Sequence, residues 1–294
     1  MHTIDAVDPT NFDPLRMAPI RHEYHEHPLL QLDELSALAR RLMPRGNCRF
    51  VKEGMRAGSA FDHFPTPPDG KSLDEFLATI EQPGSWMALY DAQVDETYRQ
   101  LLGEVSQHIQ RLVAPSQTVY DVRSFLFLSA PPSVTPYHID RENNFWLQIR
   151  GRKVLTLWDY RDHEVLAPDD REKFILYGDL DNVRFGEQTV ARGRRFECGP
   201  GDGVYFPSTT PHMTETRAEW NDGDALSISV GMVFYTNVTT RHARAMKFNR
   251  AMRIFGLEPL DPHDSLIKES IKGVLGCGLW PLRRLERLRR PGAS

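Results

Sequence analysis

Apolar and polar residues follow a helical period near both ends of the chain and a strand period in between. Before residue 118 the helical period dominates and is clearest at 95–113. From 118 to 236 the pattern changes to short apolar runs separated by Gly, Pro and Asp, and after 237 it returns to helix. We therefore predict an N-terminal helical and strand region at 1–117 packing on the core, a β core at 118–236, and C-terminal helices at 237–294.

The same patterns predict the individual elements. Helices are expected at 30–43, 72–81, 95–113, 239–255, 265–274 and 280–290. Strands are expected at 48–53, 85–90, 144–151, 152–159 and 225–235. Residues 1–18 are expected to form an extended arm. The Pro/Asp-rich and charged residues 161–183 are expected to form a surface loop near the mouth of the site.

Composition limits the compartment and the kind of partner. The formal net charge is −4 and the pI about 6.3, so no overall charge attracts the chain to nucleic acid or to an anionic membrane. The cysteines Cys48, Cys198 and Cys277 form no C-x-x-C motif, which favours a reducing compartment. No apolar run approaches the length of a membrane span, and the N-terminal residues lack a signal-peptide pattern. We expect a cytoplasmic protein without nucleic-acid or membrane partners.

Candidate metal ligands lie in two segments of the predicted β core. Residues 135–153 contain His138 and Asp140 in an H-x-D pair, and a Gly/Pro/Asp-rich turn precedes His212. Side chains two positions apart on a strand point the same way, so His138 and Asp140 can reach one metal together. Two imidazoles and one carboxylate bind non-heme Fe(II) on one face and leave the opposite face open. An H-x-D pair alone is weak evidence, because 11 histidines and 40 acidic residues make chance pairs common.

Lys153 begins a predicted strand that is otherwise apolar. It shares one face of that strand with Leu155 and Leu157. Periodicity alone favours a solvated lysine at the edge of a sheet. The alternative is an inward-facing cation, which would need an anion as its partner.

Residues 135–153 also match a longer motif. They contain a T-P-x-H-x-D run, then an Asn-aromatic-aromatic-x-Gln run, a Gly and a Lys. The matching residues are Thr135, Pro136, His138, Asp140, Asn144, Phe145, Trp146, Gln148, Gly151 and Lys153. This order resembles the metal-binding core of the JmjC and cupin-like 2-oxoglutarate oxygenases, especially the subgroup of the hypoxia-inducible-factor asparaginyl hydroxylase. The resemblance covers about 123–153 and 199–233.

The resemblance implies a fold, a cofactor and an activity. The fold would be mainly β with helices: a double-stranded β-helix, or jelly roll, with N-terminal and C-terminal helices. Fe(II) would bind at the three ligands named above, with 2-oxoglutarate as co-substrate and no further catalytic residue. Lys153 and Thr135 would hold the distal carboxylate of 2-oxoglutarate, and Asn144 would lie near its chelating end. The implied reaction hydroxylates a protein side chain or a small amino-acid-like substrate and releases succinate and CO₂.

Two departures from the family pattern affect this assignment. Residues 208–211 are Ser, Thr, Thr and Pro, where the family often carries bulky aromatic residues. Gly231 stands where the nearest relatives carry an asparagine that contacts the co-substrate. Ser227 or Ser229, at alternate positions of the same strand, could take over that contact.

Two other classes of protein remain open at this point. A cupin isomerase or a 2-oxoglutarate-independent cupin dioxygenase more often presents an H-x-H pair, a pattern that Ile139 and Asp140 interrupt. A cupin-like scaffold or binding protein would keep the fold without oxygenase activity. Formation of succinate from 2-oxoglutarate distinguishes both from an oxygenase.

Three other clusters are weaker candidates. His22, His25 and His27 could bind a metal, although a polar loop or edge strand is favoured. The acidic run at 215–224 could orient a basic substrate, although a solvated hairpin is favoured. Residues 280–290 alternate leucines with arginines, which favours a packing or dimerisation helix over a nucleic-acid or membrane contact. Oxygenases of the family that this chain resembles often dimerise through C-terminal helices, so the resemblance is compatible with a homodimer formed in that way.

Overall fold

The computed structural model describes residues 2–51, 54–60, 62–113, 116–220, 226–262 and 266–276. Within them the strands are β1 (Ile4–Ala6), β2 (Ala18–His22), β3 (Cys48–Phe50), β4 (Trp86–Tyr90), β5 (Val119–Ser129), β6 (Ser133–His138), β7 (Asn143–Arg150), β8 (Lys153–Leu157), β9 (Arg194–Cys198), β10 (Asp202–Phe206), β11 (His212–Thr216) and β12 (Ser227–Thr236). The helices are α1 (Leu32–Leu42), α2 (Leu73–Ala78), α3 (Glu96–Val113), α4 (Pro168–Tyr177), α5 (Glu187–Val190), α6 (Asn237–Ile254) and α7 (Leu266–Gly276).

The strands form two antiparallel sheets that face each other. The larger sheet has the order β1-β2-β10-β7-β12-β5-β4-β3, and the smaller has the order β6-β11-β8-β9. Trp146 and Phe206 from the larger sheet pack with Leu155 and Leu157 from the smaller sheet in one apolar cluster. Two facing sheets with this crossed strand order form a double-stranded β-helix, so the predicted fold class is confirmed.

The two faces of the larger sheet differ because side chains alternate along each strand. On β7, Trp146 points towards the smaller sheet, whereas Phe145 and Leu147 belong to the apolar core shared with α1 and α3. Fully burying one such side chain contributes about 1.5–3 kcal/mol. The helices therefore cover the outer face of the sheet, and the inner face can carry polar residues.

Local sequence signals predicted several helix boundaries. The predicted helix at 95–113 is α3, one residue shorter. Ser72 caps α2 in a capping box, because its hydroxyl accepts from the backbone N–H of Glu75 while the Glu75 carboxylate accepts from that of Ser72. The helix ends at Ala78 rather than residue 81, since Thr79 already leaves the helical conformation. The predicted helix at 280–290 lies outside the described residues.

Two predicted irregular segments contain regular structure. Residues 1–18 are not an extended arm throughout: β1 pairs with β2, and β2 pairs with β10 at the edge of the larger sheet. Residues 161–183 are not a loop throughout, because ten of them form α4. Pro168 is tolerated in the first turn of that helix, and Gly178 ends it at a φ of 73°.

The larger sheet crosses the predicted boundary at residue 117. It takes β1 to β4 from the first predicted part and β5, β7, β10 and β12 from the second. The division into 1–117, 118–236 and 237–294 therefore stays a prediction. In the described part of the chain, every helix is too short or too polar to cross a bilayer.

Candidate metal centre

Strands β6 and β11 bring the three predicted metal ligands together. His212 lies opposite His138 in the antiparallel pair, and Asp140 follows His138 by two residues. The imidazole centroids of His138 and His212 are 4.1 Å apart, and Asp140 Oδ2 is 3.4 Å from His212 Nε2. One ligand atom from each residue lies within 4.8 Å of the others. Within the described ranges, this is the one group of three or more His, Cys, Asp or Glu residues with such spacing.

Backbone carbonyls fix the orientation of both imidazoles. His138 Nδ1 is 2.7 Å from the carbonyl oxygen of Pro136, and His212 Nδ1 is 3.0 Å from that of Thr210. A carbonyl oxygen only accepts, so each Nδ1 carries the proton and donates it. Each Nε2 then carries the lone pair that a metal ion requires.

Ile139 separates His138, the last residue of β6, from Asp140, and its side chain points away from both. It is buried in an apolar cluster with Leu166 and with Phe174 of α4. The guanidinium of Arg141 also donates to the Phe174 carbonyl at 3.0 Å. Helix α4 therefore supports the ligand segment from its outer side.

The charges of the three groups suit a divalent cation. Burial, and secondarily the neighbouring His212, lower the pKa of His138 to about 4, so this ring is neutral at pH 7. Burial opposes ionisation of Asp140, but the close contact with His212 and the field of His138 and His212 hold its pKa at about 2. The Asp140 side chain is still 37% exposed, which leaves one side of the group accessible.

Lys153 lies inside the barrel. Its strand, β8, has β11 on one side and β9 on the other, so the prediction of a solvated edge lysine from periodicity alone is wrong. The side chain is only 2% exposed, and Nζ donates to Ser129 Oγ at 2.9 Å. Burial lowers the pKa of Lys153 to about 7. Among the described residues no carboxylate forms an ion pair with it.

The other predicted co-substrate residues lie on β6, β7 and β12 of the same barrel. Thr135 is opposite Thr214, which is in turn opposite Leu155 of β8. The hydroxyl of Ser227 accepts from Gln148 Nε2 at 2.9 Å. By contrast, Asn144 Oδ1 and Ser229 Oγ are buried and have no hydrogen-bond partner among the described residues.

Gly231 lies beside Asn144 in the barrel. A Cβ atom at position 231 would be 3.4 Å from Asn144 Oδ1. Any larger side chain at this position would compete with Asn144 for space. The glycine therefore keeps room next to an amide oxygen that lacks a partner in the described structure.

The sequence did not single out Ser129 and Tyr90. Ser129 ends β5 and is fully buried beside Lys153. Tyr90 ends β4 and packs on Phe125, with 4.8 Å between the ring centroids. Burial, and secondarily the charge of Asp140, raise the pKa of Tyr90 to about 12. A polar residue at the end of a predominantly apolar strand was the available signal for Ser129.

Among the residues that the structure describes, the weaker candidates form no comparable site. His22 is buried in β2 with Nε2 3.0 Å from the carbonyl oxygen of Asp202, and His27 Nδ1 accepts from the N–H of Leu29 at 3.2 Å. In the acidic run, Glu215 pairs with Arg195 at 2.7 Å. Residues 221–225 of that run lie outside the described residues.

Several solved structures are similar to this chain, all at low sequence identity. The ribosomal oxygenase YcfD from Escherichia coli is 15% identical, with 99% of this chain and 69% of that chain covered and a TM-score of 0.46. A structure of that protein with cobalt and 2-oxoglutarate is 16% identical, with 99% and 64% covered and a TM-score of 0.44. An oxalate decarboxylase from Bacillus subtilis is 14% identical, with 52% and 26% covered and a TM-score of 0.27. This chain spans about two thirds of the length of the YcfD chains.

A comparison with protein families matches a larger and more definite part of the chain. Residues 35–240, more than two thirds of the chain, match the Cupin-like domain. The matched range includes β3 to β12, all three candidate ligands and Lys153. The chain therefore belongs to the Cupin-like domain family.

Proposed function

We propose that this chain is an Fe(II)- and 2-oxoglutarate-dependent oxygenase that hydroxylates a protein side chain or a small amino-acid-like substrate. Succinate and CO₂ would be the products of the co-substrate. The observation that carries the proposal is the presence of two features in one barrel. One is the group formed by His138, Asp140 and His212, and the other is the buried, unpaired cation of Lys153.

The ligand group fits a metal such as Fe(II) by its chemistry. Two imidazoles, each oriented by a backbone carbonyl, and one carboxylate supply three donors that converge, and the carboxylate is anionic. The partly exposed side of Asp140 leaves access for other ligands. A structural zinc site would instead enclose the metal with four protein ligands.

The barrel interior fits an elongated dianion. A buried ammonium is costly unless an anion accompanies it, and Lys153 has a single hydroxyl as its hydrogen-bond partner. Asn144 Oδ1 and Ser229 Oγ add two buried polar atoms that need partners. Of the two serines predicted to contact 2-oxoglutarate, Ser229 is therefore the better candidate, since the hydroxyl of Ser227 already accepts from Gln148.

The protein residues would bind, orient and exclude water. When bound, Fe(II) and 2-oxoglutarate would supply the oxidative chemistry that this side-chain set lacks. Lys153 would donate charge-assisted hydrogen bonds to the far carboxylate of 2-oxoglutarate, with Thr135 beside it. The apolar cluster around Trp146 and Leu155 would keep water away from these bonds and so strengthen them. The carbonyl-bound imidazoles would hold their lone pairs towards the metal throughout.

Succinate formation tests the proposal directly. Purified protein is incubated with Fe(II), ascorbate, O₂ and 2-oxoglutarate, alone and with candidate peptides or amino acids, and succinate is measured by NMR. We expect succinate from the native chain and none from Asp140→Ala. His25→Ala serves as the control for loss of an unrelated histidine and should retain activity. A metal-loaded native protein that neither binds 2-oxoglutarate nor forms succinate would refute the proposal and favour a scaffold or another cupin enzyme.

Finer parts of the proposal rest on the sequence. The Asn-aromatic-aromatic-x-Gln run at Asn144 supports a likeness to the asparaginyl hydroxylase subgroup. Cys48 and Cys198 are buried free thiols, which supports a reducing, cytoplasmic location. The leucine and arginine pattern at 280–290 supports a homodimer through C-terminal helices. Mass spectrometry of candidate substrates for the mass of one added oxygen atom would identify what is hydroxylated.

A further inference from the structure

Ser129 is the last residue of β5, which lies between β4 and β12 in the larger sheet. In register it is opposite Trp86 of β4 and opposite Ser227 of β12. It is fully buried, and its hydroxyl accepts the hydrogen bond from Lys153 Nζ at 2.9 Å. This contact joins the larger sheet to the smaller one through a buried polar pair.

Lys153 and Ser129 keep hydrogen-bond donors that have no acceptor among the described residues. An ammonium group has three N–H donors, and the structure matches one of those of Lys153, to Ser129 Oγ. Because the serine oxygen acts as acceptor in that bond, its own proton is left to donate elsewhere. Within the described residues, that proton has no acceptor. The pair therefore presents N–H and O–H donors side by side, with no protein carboxylate paired to them.

The neighbouring serine does not duplicate this arrangement. Ser227 is the cross-strand partner of Ser129, but its oxygen is already engaged by Gln148 Nε2 at 2.9 Å. Gln148 in turn donates to the carbonyl of Arg150 at 2.6 Å. Ser227 and Gln148 thus form a neutral polar pair, in which Gln148 Oε1 has no partner among the described residues. Ser129 differs from Ser227 because its partner is the ammonium group of Lys153.

We infer that Ser129 is a binding residue for the far carboxylate of 2-oxoglutarate, together with Lys153, an inference that rests on the proposed function. Lys153 donates to one carboxylate oxygen, and Ser129 donates its hydroxyl proton to the same group. The serine also fixes the direction of the ammonium through the bond that it accepts. Two donors at this end of the barrel select a dicarboxylate over a monocarboxylate of equal length.

A comparison of two ligands measures this role separately from packing. Calorimetry on Mn(II)-loaded protein compares 2-oxoglutarate with 2-oxopentanoate, which has the same chain length and no far carboxylate. Ser129→Ala should raise the Kd of 2-oxoglutarate about tenfold or more, as expected for a hydrogen bond to a charged group. The Kd of 2-oxopentanoate should stay unchanged. Ser129→Cys, which keeps the size of the side chain and has a weak donor, should behave like Ser129→Ala.

Ser124→Ala is the matched control. Ser124 is a buried serine of the same strand, but it lies against the helices on the outer face, and it should change neither Kd. An equal change in both ligands for Ser129→Ala, or no change in either, would overturn the inference. If Lys153→Met loses the preference for 2-oxoglutarate while Ser129→Ala keeps it, the inference fails and the proposed function stands. If the native protein shows no preference for 2-oxoglutarate, the proposed function itself fails.

Discussion

Replacing Lys153 by Met should stabilise the ligand-free protein. Burial lowers the pKa of Lys153 from 10.5 to about 7. At about 1.4 kcal/mol for each pKa unit, the protonated lysine costs the folded state on the order of 4–5 kcal/mol at low pH. Met keeps the apolar stem and removes the charge, but it leaves the Ser129 hydroxyl without a partner, which costs about 1–3 kcal/mol. The net expectation is a gain on the order of 2 kcal/mol in the free energy of unfolding.

The pH dependence of this gain has a definite sign. The folded pKa of Lys153 lies below its unfolded value, so the unfolded chain binds more protons between about pH 7 and 10.5. The free energy of unfolding of the native chain therefore rises through this window relative to the Met variant. The advantage of the variant should be complete below pH 7 and should disappear near the middle of the window. Towards pH 10.5 the native chain should be the more stable by about 1–3 kcal/mol, because only the lost partner of the Ser129 hydroxyl then separates the two proteins.

The same substitution should weaken co-substrate binding. Loss of the charged donor should raise the Kd of 2-oxoglutarate about tenfold to a hundredfold, which corresponds to about 1.5–3 kcal/mol. Metal affinity should barely change, because Lys153 is not part of the ligand group. In the native protein the bound carboxylate favours the ammonium form, so binding should take up protons above pH 7 and weaken as the pH rises.

Two measurements test this reasoning. Urea unfolding of the ligand-free proteins at pH 6.5 and pH 9.5 gives the stability difference, and calorimetry with Mn(II) gives the two affinities. Calorimetry in buffers of different ionisation enthalpy counts the protons taken up. A Met variant that is no more stable at pH 6.5 and binds 2-oxoglutarate normally would show that Lys153 is neither desolvated nor an anion site. That result would count against the oxygenase assignment as a whole.

The remaining predictions concern the metal, a turn and the C-terminus. His212→Ala should strongly reduce Mn(II) bound per chain in elemental analysis, whereas His25→Ala should not, and equal loss from both would exclude the proposed ligand set. Gly151→Ala should lower the free energy of unfolding by about 1–3 kcal/mol, because φ is +65° and the new Cβ would lie 2.7 Å from the Leu226 carbonyl oxygen; an unchanged urea midpoint would contradict this. Deleting 279–294 should lower the melting temperature or the mass measured by light scattering, and if neither changes the segment has no packing role.

Local periodicity was sufficient for features that depend on neighbouring residues. It located α3 and the strand that carries His138, because both follow from the geometry of one element, although that strand ends at His138 and Asp140 lies just beyond it. It was wrong for Lys153, since whether a strand lies at an edge depends on the order of strands in the sheet. Strand β8 is enclosed by β11, more than fifty residues later, and by β9. The resemblance to the family motif predicted that the Lys153 side chain points into the barrel, which the periodicity of its strand could not show.

Long-range pairing explains the other differences. β2 was not predicted because its partner β10 lies about 180 residues away, and a five-residue segment that contains a proline has little pattern of its own. α4 was missed because its apolar residues do not follow a helical stripe. Ser129 could not be assigned from sequence, since its role depends on Lys153 of the opposite sheet.

The contact of Ile139 with α4 has a consequence for how the metal is captured. His138 and Asp140 flank Ile139 in the chain. A backbone movement that displaced these two ligands would also pull the Ile139 side chain out of its contact with Leu166 and Phe174. The donors are therefore preorganised, and the metal does not have to order them on arrival. Part of the affinity for the metal is thus packing free energy, held on the outer wall of the barrel by residues that never touch the ion. A smaller side chain at position 174 would therefore weaken metal binding although all three ligands remain in place.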